Sequence, residues 1–77
     1  MVLKELLKNY SFKGFKITYK DLYGNEYKKA DLYANTIYKI EELEVRNVNI
    51  NFRLKEATFY LIGLYELLRD EKKEGRF

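Results

Sequence analysis

Asp21-Leu22-Tyr23-Gly24-Asn25-Glu26, set between two runs of β-favouring residues, constrains this chain more than any other segment. Asp at the first position and Gly three residues later specify a type I turn closed by a left-handed glycine, the usual three-residue hairpin loop. That loop sets Asp21 opposite Asn25. Lys20 then faces Glu26, Tyr19 faces Tyr27, Thr18 faces Lys28 and Ile17 faces Lys29. Phe15, Ile17, Tyr19 and Tyr27 share one face of the hairpin, and Lys16, Thr18, Lys20, Glu26 and Lys28 share the other. A slip of one residue would set Tyr19 against Glu26 and mix the two faces.

The remaining segments must pack around this hairpin unaided. The 77 residues contain no Cys and no His, so neither a disulfide nor a zinc cage can staple the fold. A single domain over residues 1–77 is expected, burying roughly 60–65% of its unfolded surface, with packing or self-association supplying its stability. Val2, Leu3, Leu6, Leu7 and Tyr10 recur at three- and four-residue steps against Lys4, Glu5 and Lys8, which reads as a short amphipathic helix rather than a secretory leader. Ile37, Ile40 and Leu43 beside Glu41, Glu42 and Glu44 indicate a short helix after Asn35 or Thr36, with an extended segment over 36–40 as the alternative. Residues 47–52 alternate Asn with Val, Ile and Phe, the pattern of a half-buried strand with an Asn ladder outside.

The last third admits two conformations. Residues 58–65 are aromatic and branched, favouring a strand paired with 47–53, whereas 53–57 and 66–74 contain strong helix formers. One continuous helix would place Gly63 mid-helix, at ~1 kcal/mol against Ala, and would be apolar almost all round. A strand at 57–65 followed by a helix at 66–74, stopped at Gly75, is the reading adopted. The fold class is α+β: an N-terminal helix, a β-hairpin, a short helix, further strand(s) in a small antiparallel sheet, and a C-terminal helix.

Absent His and Cys also restrict the chemistry. Ser11 is the only Ser and has no His to activate it. The four glycines stand apart, so no phosphate cradle forms. Glu41, Glu42 and Glu44 with Asp31 lack the spacing of a calcium loop and read as a solvated helix face. Asp21 with Glu26-Tyr27-Lys28 imitates the acidic pattern of metal-dependent nucleases, but those enzymes draw the flanking acid from a separate strand, and pairing of Lys20 with Glu26 across the hairpin is the better explanation. No catalytic residue, metal or cofactor is expected.

Contact is the better expectation. Thirteen side chains are Tyr or Phe, eight of them Tyr, which gives interfaces large area at little entropic cost. Residues 1–29 hold seven Lys against three acids. Lys16, Lys20 and Lys28, with Lys13 and Lys29 nearby, could neutralise phosphates, while Tyr10, Tyr23 and Tyr33 could stack on bases. Arg46, Arg53, Arg69 and Arg76 lie elsewhere in the chain. If residues 57–65 form a strand, Tyr60, Ile62 and Leu64 make an exposed apolar stripe, serving a partner or a homo-oligomer equally. The run 59–65 is too short for a membrane span, which needs about 20 residues.

The opening Leu3-Lys4-Glu5-Leu6-Leu7, the turn carrying Gly24-Asn25, and Val45-Arg46-Asn47-Val48-Asn49-Ile50 together resemble a loose group of short proteins from phages and mobile elements of AT-rich bacteria. Enrichment in Lys, Asn, Tyr and Ile is similar to that base composition. The resemblance covers residues 1–52. It implies a small protein acting stoichiometrically, as anti-CRISPR inhibitors do when they clamp a host defence enzyme; the group shares no site, so it implies no functional residue. The expectation is a non-enzymatic protein of the host cytoplasm that binds a host protein or nucleoprotein complex, or else a small nucleic-acid-binding regulator using the Lys/Tyr-rich hairpin.

Overall fold

The hairpin forms in the register its turn dictates. In the computed structural model, which describes residues 1–73, β1 (Lys16–Lys20) and β2 (Glu26–Lys28) pair with Thr18 opposite Lys28, Tyr19 opposite Tyr27 and Lys20 opposite Glu26. Gly24 adopts the left-handed conformation, φ 91°, that the turn requires. Asp21 organises the loop from within. Its Oδ1 accepts the N–H groups of Tyr23 (2.9 Å) and Asn25 (3.0 Å), and its Oδ2 accepts from the Asn25 amide (3.0 Å) and the Tyr27 hydroxyl (3.4 Å).

Burial alone would raise the Asp21 carboxyl, but the hydrogen bonds from Asn25, Tyr23 and Tyr27 outweigh it and hold the group below its usual range. A carboxyl depressed in the folded state stabilises above its unfolded value, near 3.9, and loses that contribution as pH falls through the folded value. Asp21→Asn is therefore expected to cost about 1–3 kcal/mol in urea unfolding at pH 7. The gap to wild type should start to close near about pH 4; a gap constant from pH 7 to pH 2 would contradict this account.

After β2 a 3-10 turn (Lys29–Asp31) leads to α2 (Ala34–Ile40), then β3 (Val45–Asn51), β4 (Glu56–Leu61) and α3 (Leu64–Lys73); α1 (Leu3–Asn9) precedes the hairpin. The sheet order is β2-β1-β4-β3. The α+β class is as expected, but the sheet is mixed rather than wholly antiparallel, because β1 and β4 run parallel with Ile17 beside Ala57 and Tyr19 beside Phe59. Parallel neighbours need a crossover of a dozen or more residues. The segment 21–55 supplies it. The β3–β4 hairpin then sets β4 centrally, where Ala57, Phe59 and Leu61 are buried.

One face of the sheet carries all three helices. Leu3 from α1, Ile40 from α2, and Leu64 and Leu68 from α3 close over Tyr19, Ala57, Phe59 and Leu61, with Val48 and Ile50 at the margin. Tyr19 is held there by packing; burial, then the charge of Glu41, pushes its phenol well above the usual value. The N-terminal segment is tied in by Leu3 N–H to the Leu43 carbonyl (2.9 Å) and Lys4 N–H to that of Glu41 (2.8 Å).

The helix after β2 starts at Ala34, and the extended alternative over 36–40 is not adopted. The Asn ladder is present: Asn47, Asn49 and Asn51 are exposed while Val48 and Ile50 are half-buried. Phe52 leaves the strand for a turn and is exposed. The expected strand over 57–65 is corrected to Glu56–Leu61. Gly63, at φ 86°, breaks the strand and the chain re-enters as a helix. That change from a two-residue to a 3.6-residue period turns Leu64 into the core, fully buried, and leaves Ile62 in the turn. The apolar stripe of Tyr60, Ile62 and Leu64 therefore does not form. Glu74 and Gly75, expected at the end of the last helix, lie outside the described residues.

Candidate functional site

The face of the sheet opposite the helices is built from alternate residues. Lys16, Thr18 and Lys20 of β1 neighbour Glu56, Thr58 and Tyr60 of β4, and Asn51, Asn49 and Asn47 continue the rows onto β3. Glu26 and Lys28 extend them onto β2. Because β2 has only three residues, the start of β1 is flanked by open space. A groove of about 1220 Å³ lies there, lined by Lys13, Lys16, Lys28 and Lys29 and by two acids, Glu26 and Glu56, together with Tyr10, Phe15 and Thr58. Among the described residues, none of these four lysines has a carboxylate within 4.0 Å.

Lys20 behaves differently. Its Nζ lies 3.6 Å from Glu26 Oε1, the cross-strand pair expected, and 5.4 Å from the centre of the Tyr60 ring. Beyond it a hollow of about 350 Å³ opens under the hairpin tip, lined by Lys20, Asp21, Leu22, Gly24, Arg46, Asn47 and Tyr60. A β-bulge makes this hollow: the register shifts between Val45 and Asn47, so Arg46 and Asn47 together oppose Tyr60. Arg46 has no ion-pair partner among the described residues.

Of the residues singled out from the sequence, Lys16, Lys20, Lys28 and Tyr60 share this face. Tyr23 does not join them: 74% exposed, it leans toward α3, its ring 5.1 Å from that of Tyr65. Ile62 sits in the β4–α3 turn and Leu64 in the core. Tyr10 lines the groove, whereas Tyr33 borders neither hollow. Arg46 was not among the expected contacts. Its signal was two consecutive polar residues, Arg46 and Asn47, ahead of the strict alternation that starts at Val48.

Glu26 and Glu56 border the groove, whereas Asp21, Glu42 and Glu44 are committed elsewhere. All of Asp21's hydrogen bonds close its own loop. Glu42 pairs with Lys4 and Glu44 with the N-terminal amine, each at 2.9 Å. Among the described residues no three acidic side chains converge as metal ligands, and no helix is long and apolar enough to cross a membrane. Comparison with protein families, curated proteins and solved structures yields no match to this chain.

Proposed function

We propose that this chain is a non-catalytic binding protein that grips a host nucleoprotein, of the CRISPR-type defence kind, with the helix-free face of its sheet and the groove beside β1. The observation that carries this reading is the convergence of four lysines, Lys13, Lys16, Lys28 and Lys29, against two acids, Glu26 and Glu56, on one groove, with none of the four in an ion pair among the described residues. Unpaired lysines keep their charge for an external anion, and such fields speed and orient association more than they tighten it. Thr18, Thr58 and the Asn rows offer hydrogen bonds that would fix register. The absence of His and Cys from the sequence supports binding rather than turnover.

Titration of a guide-loaded CRISPR effector is expected to saturate at a fixed stoichiometry without product formation. The double variant Lys16→Glu/Lys28→Glu should lose at least about tenfold in affinity, and Lys72→Glu, on α3, should lose nothing. Equal affinity of the groove variant and wild type would remove the proposal.

The same lysines, with Arg46 and Lys20 across the hairpin, favour a second reading in which nucleic acid alone is the ligand. Four phosphate contacts would weaken binding about 100-fold between 50 and 200 mM salt. A gel shift at both concentrations separates the readings. No retention of single- or double-stranded probes at the lower salt would eliminate the second.

A further inference from the structure

The two edges of the sheet are treated differently by the sequence. β2 exposes three residues, two of them charged, Glu26 and Lys28, which is how natural proteins guard an edge. β3 is seven residues long and carries one charge, Arg46. Its outer edge is covered at the start, where Val45 N–H bonds to the Met1 carbonyl (2.8 Å) and Val2 bridges Glu44. It ends where the chain turns after Asn51. Between these limits no described segment pairs with the edge. Val48 N–H donates to the Asn47 side chain (2.9 Å), so it points outward, and the strand period places the Ile50 groups on the same side.

We propose that a second copy of this chain pairs antiparallel along this edge, about a twofold axis at Asn49. Residues 47–51 have the same polarity read in either direction. Asn49 then meets Asn49 of the second copy, Asn47 meets Asn51, and Val48 meets Ile50. Apolar pairs extend the helix-covered face, and Asn pairs extend the open face. Arg46 and the exposed Phe52 of the second copy flank the paired stretch 47–51, so no like charges oppose one another. The register also stops where it must. Continuing would bring Val45, already bonded to Met1, against residue 53, which has left the strand.

A twofold axis normal to the sheet keeps both sets of helices on one side. The product is an eight-stranded sheet whose two polar faces are continuous. Growth ends at two copies, since the outermost edges are then the guarded β2 strands. The pairing does not depend on which anionic partner the open face takes.

The chain lacks Cys, so single cysteines report register cleanly. Asn49 forms a non-hydrogen-bonded pair with itself, with Cα atoms about 4.5 Å apart, within disulfide range. Under mild oxidation Asn49→Cys is expected to give a covalent dimer at least tenfold faster than Asn47→Cys or Asn51→Cys alone. A mixture of the latter two should cross-link as heterodimers. In sedimentation equilibrium the wild type should be dimeric, and Asn49→Lys, with unchanged circular dichroism, monomeric. A wild-type monomer up to millimolar concentration, or equal cross-linking at all three positions, would overturn the proposal.

Discussion

Replacing Phe59 with alanine is expected to remove a large share of the stability of the native state at 25 °C. Phe59 is fully buried on the central strand, beside Tyr19 of β1 and opposite Val48 of β3. The ring of Phe12 meets it edge-on at 5.4 Å, joining the loop before β1 to the core. Truncating a buried Phe costs about 3–5 kcal/mol, through lost transfer energy and the cavity left behind. A chain of this length has a total stability of about 4–11 kcal/mol. Thermal melts followed by circular dichroism should show a midpoint lowered by about 15–30 °C, or no transition at all. Phe52→Ala is the matched control: that ring touches Phe15 at 6.1 Å from an exposed turn, and its loss should cost under about 1 kcal/mol. A Phe59→Ala melt indistinguishable from that of Phe52→Ala would refute the description of the core.

What could be read beforehand follows from the range of each interaction. The hairpin register rests on Asp21, Gly24 and Asn25, all within one turn, and it appears in the structure pair for pair. The alternation over 47–51 is equally local. Parallel pairing of β1 with β4 joins residues about 40 apart in sequence, and no local pattern encodes it. The end of β4 was legible in principle. Gly63 interrupts an apolar run, and its left-handed backbone separates strand from helix. Treating 57–65 as one strand carried the two-residue period past Gly63 and placed Leu64 outside. For the candidate site, Lys16, Lys20 and Lys28 followed from hairpin phase alone. Arg46 and Asn47 reached the same face only through a bulge, which depends on how β3 meets β4.

Glu71 was equally hidden, since its environment is made by another helix. It is 2% exposed on α3, with Oε1 paired to Lys39 of α2 and Oε2 unpartnered among the described residues. Thr36 Oγ1, one turn before Lys39 on α2, is likewise buried without a partner among the described residues. Lys39 is 45% exposed, so the two ends of this bond stand in different solvents. Lys39→Met leaves a carboxylate with neither a cation nor water, and is expected to cost about 3 kcal/mol, the lower end for breaking a buried pair. Glu71→Leu breaks the same bond but lets Lys39 return to solvent, so its cost should be near zero. The double variant Lys39→Met/Glu71→Leu should match or exceed wild type. Urea unfolding of all four proteins at pH 7 gives the coupling energy, expected to be at least about 2 kcal/mol. A Lys39→Met cost below about 0.5 kcal/mol would place the pair with ordinary surface bridges. The informative quantity is the difference between the single variants: both remove one hydrogen bond, but only one strands a charge where water cannot reach.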